Sequence, residues 1–238
     1  MTLERQILTS KKSLMQLSTD DEAIIEHFAN RNNYADIVLY QLNTDRFYDP
    51  IFDGEQDLTI LDIGANIGLF SLYAHDSCKN IYAVEPTPNH FKILQQLTSS
   101  CSNVTPLNLA VHNEDTEIDF YISEENSTMN SSVNQYGTRI RVEAITIKSL
   151  IDRLNLDHVD FVKCDIEGSE MQALTEQTVG AVKDIVDCWF IEVHATDNDT
   201  LKGIDSLRDN KAKLKLIFEN QGYSVQEYRE DALYVYKE

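Results

Sequence analysis

Positive charge is what this 238-residue chain has least of: 20 Lys and Arg stand against 40 Asp and Glu, a formal net charge of −20. Affinity for nucleic acid comes largely from cations that neutralise phosphates. No basic run longer than Lys11-Lys12 supplies them, so nucleic acid and anionic membrane surfaces are excluded as expected partners. No segment reaches transmembrane length, and Met1–Ile7 lacks the apolar stretch of a signal peptide. No membrane insertion and a cytoplasmic location are expected. Cysteine is sparse too: Cys78, Cys101, Cys164 and Cys188 lie far apart with no C-x-x-C pair, which argues against a zinc cluster and for reduced thiols. Eight Gly and four Pro leave little room for linkers. What remains suits one large α/β domain, or such a domain with a helical extension.

Residues 1–57 read as that extension. Thr19 and Glu22 form a capping box ahead of Ile24, Ile25 and Phe28 at helical spacing, and Asn30-Arg31-Asn32-Asn33 stops the run. Over 58–238 the apolar segments alternate as strand and helix. Parallel strands are expected over 58–63, 80–85, 104–109, 159–164 and 188–193. Helices are expected over 67–75, 86–97, 149–154, 171–179 and 201–220, with a closing hairpin of 223–228 and 233–237. Two segments, 116–122 and 139–145, alternate polar and apolar residues and read as an inserted β-hairpin joined by a long polar loop. The fold class is α/β, a doubly wound Rossmann-like sheet with an antiparallel C-terminal hairpin.

The stretch Leu58–Phe70 organises the rest. An apolar strand closes on Asp62, two glycines follow four apart (Gly64 and Gly68), and Leu69-Phe70 opens a helix. In such folds a nucleotide-like cofactor sits at this junction. A dinucleotide turn starting at Gly64 needs Gly at 66 and Gly or Ala at 69, so that backbone can approach a pyrophosphate; the chain has Asn66 and Leu69. Asn66 suits an amino-acid carboxylate, and Asp62 repels phosphate and suits an ammonium, with a helix N-cap as its plainer role. Both fit the methionine end of S-adenosylmethionine. Glu85, at the end of the second strand, can accept bonds from both ribose hydroxyls, or be a solvated acid before a proline turn.

Four motifs in order make the pattern specific: Asp62-Ile63-Gly64-Ala65-Asn66-Ile67-Gly68, Val84-Glu85-Pro86, Asn108-Leu109-Ala110-Val111, and Val159 through Glu170 with Asp165-Ile166-Glu167-Gly168 at its centre. Over roughly 58–195 the chain resembles the FkbM-type methyltransferases. Ser131-Ser132 is similar to the family's serine pair; Ile147-Lys148 departs from its usual Leu-Asp. The resemblance implies a class I S-adenosylmethionine-dependent methyltransferase, usually acting on hydroxyls of sugars or other small molecules. It implies a cofactor site at Asp62, Gly64, Asn66, Gly68, Glu85, Ala110 and Asp165.

Methyl transfer to an alcohol needs donor and acceptor aligned, and the hydroxyl proton removed or a metal to acidify it. Ligands gather at the carboxyl edge of such sheets. Asp165 and Glu167 from one strand end, with Glu192 and His194 from the next, are therefore the catalytic candidates. His194 is the base best tuned to neutral pH, with an ordinary loop histidine as the alternative. Asp165 is open as base, metal ligand or cofactor contact. Asp165, Glu192 and His194 have ligand chemistry for Mg²⁺, but no spacing demands one and no metal ligands are assigned. Glu170 is set aside as a helix-dipole partner. Lys163 is left out as pointing away from the site, and His90 and His158 are read as surface or cap residues. The acceptor, a small-molecule or glycan hydroxyl, stays open. The rival readings are a non-catalytic scaffold of the same fold and, against the glycine pattern, an NAD-dependent oxidoreductase.

Overall fold

The computed structural model describes residues 57–122, 132, 137–196 and 200–238. The expected helical extension, except Asp57, lies outside them, as does most of the loop between the inserted strands.

β1 (Leu58–Ile63), β2 (Cys78–Val84), β3 (Val104–Leu107), β7 (Val159–Cys164), β8 (Val186–Glu192), β9 (Ser224–Glu227) and β10 (Ala232–Tyr236) form a seven-stranded sheet in the order β3-β2-β1-β7-β8-β10-β9. It is parallel through β8, and β10 runs antiparallel to both its neighbours. Strand alternation sends the apolar side chains of β1 to both faces. Leu58 and Ile60 pack with Phe70 and Ala74 of α1 (Leu69–Ala74) and Leu94 of α2 (Pro88–Leu97). Leu61 and Ile63 pack on the other side with Leu150 and Ile151 of α3 (Ile147–Arg153) and with Leu214 and Phe218 of α6 (Thr200–Asn220). Trp189 is fully buried there, edge-on to Phe218 with ring centroids 5.2 Å apart, which places it in the core.

Most element ends differ from the expected ones by a residue or two, and four differences have a local cause. α1 starts at Leu69, since Gly68 holds φ +88° ahead of it. β3 stops at Leu107, and Asn108 Nδ2 then donates to the main-chain oxygens of Glu85 and Pro86 (2.8 and 3.1 Å). The inserted hairpin is a three-stranded sheet: β4 (Ala110–Val111) pairs in parallel with β6 (Thr138–Ile145), which pairs antiparallel with β5 (Thr116–Ile122). The single helix expected over 171–179 is two, α4 (Glu170–Ala173) and α5 (Glu176–Gly180), because Thr175 and Thr178 form a reciprocal cap that restarts the helix.

Register positions the site. Ile63 lies opposite both Val84 and Cys164, so the residues just beyond β1, β2 and β7 emerge side by side at one sheet edge.

Candidate active site

The turn after β1 is fixed by its own backbone. The N–H groups of Gly64 and Ala65 both donate to the Val84 carbonyl (3.0 and 2.9 Å), and Gly68 N–H donates to Ala65 O (2.8 Å). Gly64 has φ +80°, and a Cβ there would collide with the main-chain carbonyl oxygen of Asp165. This glycine is required by the approach of two strand ends. Asn66, also left-handed at φ +52°, turns its Oδ1 back to accept from Ile67 N–H (2.8 Å).

Glu85 sits in the elbow beside that turn, 5% exposed. Its two oxygens accept from Asn66 N–H (2.9 Å) and Thr87 N–H (2.8 Å), and His90 Nδ1 lies 3.8 Å away. Burial pushes its carboxyl up to about 7, against the pull of the Thr87 and Asn66 hydrogen bonds and of Lys163. His90, read from sequence as a surface or cap residue, is 3% exposed and lines the cleft.

Asp62 is fully buried beneath the turn. Its Oδ2 accepts from Ser71 Oγ (2.6 Å), while Oδ1 makes no hydrogen bond and lies 3.4 Å from Lys163 Nζ. Lys163 also donates to Gly64 O (3.1 Å) and lies 3.4 Å from Asp165 Oδ2. The expectation that Lys163 points away from Asp165 is corrected: residues two apart on a strand share a face, so 163 and 165 belong together.

After β7 the chain turns left-handed at Glu167 (φ +53°) and Gly168 (φ +95°). Glu170, 1% exposed, satisfies that turn: its Oε1 accepts from Ile166 N–H and Gly168 N–H, each at 3.2 Å. The same oxygen lies 2.9 Å from Nδ1 of His194, two residues beyond β8. Glu170 is thus a member of the site that the sequence reading set aside. The signal for it was the acid two positions past Gly168, placed to reach back to free N–H groups at a helix start. The other ring nitrogen, Nε2, faces Glu167 Oε2 at 3.5 Å and Asp165 Oδ1 at 3.8 Å.

Burial alone would lower the His194 pKa, but the hydrogen bond and charge of Glu170, then Asp165 and Glu167, push it up to about 10. The surrounding carboxylates thus favour the protonated imidazole over the neutral one. Burial and the Asp165 charge push Glu167 up to about 8 and Glu192 up to about 7, His194 opposing both.

A cleft of about 650 Å³, open solvent included, runs along this edge. Gly64, Asn66, Glu85, Ala110, Asp165 and Glu167 line it, with Ile118 and Phe120 of the second sheet and Ser132 as further walls. Ser132 and Ser169 share a 2.7 Å hydrogen bond. Of the expected site residues, Asp62 and Gly68 lie behind the lining, and Glu192 and His194 are behind it as well. Among the described residues no Lys or Arg lines the cleft, while carboxylates mark it at Glu85 and at Asp165 and Glu167.

The Methyltransferase FkbM domain matches residues 62–225. Among solved structures, methyltransferase FkbM from Methylobacillus flagellatus KT is similar, at 16% identity and a TM-score of 0.50, over 96% of this chain and 58% of that one. This chain therefore spans less than two thirds of that protein's length. The fibrillarin pre-rRNA processing protein of Methanococcus jannaschii is similar at 14% identity and a TM-score of 0.48, over 77% of this chain and 67% of that one. No curated protein matches.

Proposed function

The chain belongs to the methyltransferase FkbM domain family, and from that premise we propose that it transfers the methyl group of S-adenosylmethionine to a hydroxyl oxygen of a sugar or other small acceptor. The observation that carries the cofactor assignment is the charge of the cleft: carboxylates line it and no Lys or Arg does among the described residues. A pyrophosphate would find no Lys or Arg lining the cleft to neutralise it, whereas an ammonium and a sulfonium suit acidic groups. The donor set fits. Glu85 offers acceptor oxygens for a ribose diol, and Asn66 offers its side-chain amide to the amino-acid end. Asp62 and Lys163 support that turn from beneath. Ala110 lies against the same cleft, and Gly68 lets α1 pack close to Leu94.

When bound, S-adenosylmethionine supplies an electrophilic methyl carbon on sulfur. The protein's part is to align an acceptor oxygen with it and to handle the acceptor's proton. Asp165 and Glu167 line the cleft and so are the carboxylates an acceptor can reach. His194, behind the lining, orients these carboxylates, and the acceptor's proton passes to a carboxylate oxygen of Asp165 or Glu167. The net charge of −20 supports a small neutral acceptor over nucleic acid. The four cysteines are free thiols, which supports a reducing, cytoplasmic setting. No described helix is long and apolar enough to cross a membrane.

Thermal melting with S-adenosylhomocysteine, then with NADH, tests the cofactor. Ligand at a hundredfold its dissociation constant adds about 2.7 kcal/mol, expected for S-adenosylhomocysteine alone. Stabilisation by NADH alone overturns the reading in favour of an oxidoreductase. Transfer of a labelled methyl group across a panel of hydroxylated sugars and small alcohols tests the acceptor; cofactor binding with no turnover on any of them favours a scaffold.

A further inference from the structure

We infer that Asp165, Glu167 and His194 form a binding site for one divalent metal ion of the Mn²⁺ or Mg²⁺ kind, at the carboxyl ends of β7 and β8. Any catalytic use of the ion rests on the methyl-transfer reading above; the site itself does not.

Three observations converge. The first is spacing. One ligand atom from each residue lies within 4.8 Å of the others, with His194 Nε2 3.5 Å from Glu167 Oε2 and 3.8 Å from Asp165 Oδ1. Ligands at about 2.1 Å from an octahedral ion stand about 3.0 Å apart when adjacent and about 4.2 Å when opposite. The two distances from His194 Nε2 already lie between those limits, and rotation of the two carboxylates can bring their oxygens to the same spacing.

The second is the orientation of the imidazole. Glu170 Oε1, anchored by two backbone N–H groups in a 1%-exposed position, holds Nδ1 at 2.9 Å and aims Nε2 at both carboxylates. A metal-binding histidine is held in this way, its second nitrogen donating to a buried carboxylate that fixes tautomer and ring plane. Glu170 is then a positioning residue that acts through His194.

The third is charge and access. Asp62, Asp165, Glu167, Glu170 and Glu192 crowd this edge against only Lys163 and His194 among the described residues nearby. Asp165 and Glu167 line the cleft, so an ion and an acceptor hydroxyl can meet there. Two carboxylates and one imidazole suit a hard or borderline ion, and leave coordination positions for water or an acceptor oxygen. An ion held there would lower the pKa of an acceptor hydroxyl.

The competing arrangement is a protonated His194 that itself pairs with the Asp165 and Glu167 carboxylates. Electron paramagnetic resonance of Mn²⁺ titrated into the metal-stripped full chain, with no methyl donor present, separates the two. One Mn²⁺ per chain is expected, displaced by excess Mg²⁺ and showing nitrogen coupling from an imidazole. Asp165→Asn and His194→Ala are each expected to weaken binding at least tenfold, and His194→Ala to abolish the nitrogen coupling. Glu170→Gln should weaken it roughly tenfold while keeping the coupling. Failure to retain Mn²⁺ below millimolar concentration, or a site that survives both Asp165→Asn and His194→Ala, overturns the proposal. The S-adenosylhomocysteine melting shift of each variant checks that it is folded. In the unmodified chain, no bound Mn²⁺ with a retained shift defeats the ion alone, and bound Mn²⁺ with no shift defeats the methyl-donor reading alone.

Discussion

β7 and β8 carry a histidine between two carboxylates at both of their ends, and the two sets behave differently. At the amino ends, His158 Nε2 lies 3.2 Å from Asp160 Oδ1 and 3.1 Å from Asp187 Oδ2. There the acids are already occupied: Asp160 Oδ2 accepts from Thr59 N–H (2.7 Å), and Lys237 Nζ donates to Asp187 Oδ1 (2.9 Å). His158 is 49% exposed. At the carboxyl ends, His194 is 24% exposed, pinned by a buried third acid, and backed against a cleft. The same residue types at nearly the same distances thus make a solvated brace at one edge and a candidate active site at the other. Burial, an orienting partner and room for a ligand separate them.

Each prediction presses on that contrast. The largest effect is expected for Asp165→Asn, which removes the carboxylate nearest the cleft. Methyl transfer should fall on the order of a thousandfold, while Asp160→Asn at the other edge leaves turnover unchanged, as measured by label transfer at saturating cofactor. Equal losses from both would break the distinction.

Next is Gly64→Ala. Its Cβ meets the Asp165 carbonyl in a left-handed backbone, and unfolding titrations should show a loss of about 3 kcal/mol or more. A smaller loss would mean that the two strand ends separate readily.

Glu85 gives a pH signature. Its folded pKa of about 7 lies above the ordinary 4.5, so the native state binds the extra proton. The stability it contributes is full below its unfolded pKa and is lost as pH rises through about 7. Relative to Glu85→Gln, the unmodified chain should lose roughly 2 kcal/mol between about pH 5 and 7.5. Parallel pH profiles for the two would show that Glu85 is solvated.

The smallest effect belongs to the amino edge. Lys237→Ala breaks a pair whose partners are 34% and 44% exposed, and chemical denaturation should register less than about 0.5 kcal/mol.

Much of this was legible in the chain. β1, β5 and β7 begin and end where their apolar runs do, because a strand buried on both faces, or a cleanly alternating one, declares itself by composition. The cofactor turn was legible because its conformation is set by its own glycines and Asn66. The transfer end was legible only in part. Asp165, Glu167, Glu192 and His194 were named from the rule that strand ends converge, yet Lys163, His90 and Glu170 were assigned elsewhere. Lys163 was lost to a misapplied alternation. Glu170 and His90 were lost because nothing local distinguishes a buried acid or imidazole from one at a solvated helix start.

By itself the sequence determined the alternation of strands and helices, the left-handed turn at Gly64, Asn66 and Gly68, and the acidity of whatever the turn would face. Each is a property of residues adjacent in the chain or of composition. Only the tertiary structure decided that Glu170 reaches His194 across 24 positions, that Lys163 ties Asp62 to Asp165, and that the histidine at one end of β7 and β8 is a brace while that at the other borders a cleft. Those outcomes depend on which groups lose water together, and burial is shared among segments that the chain itself keeps apart.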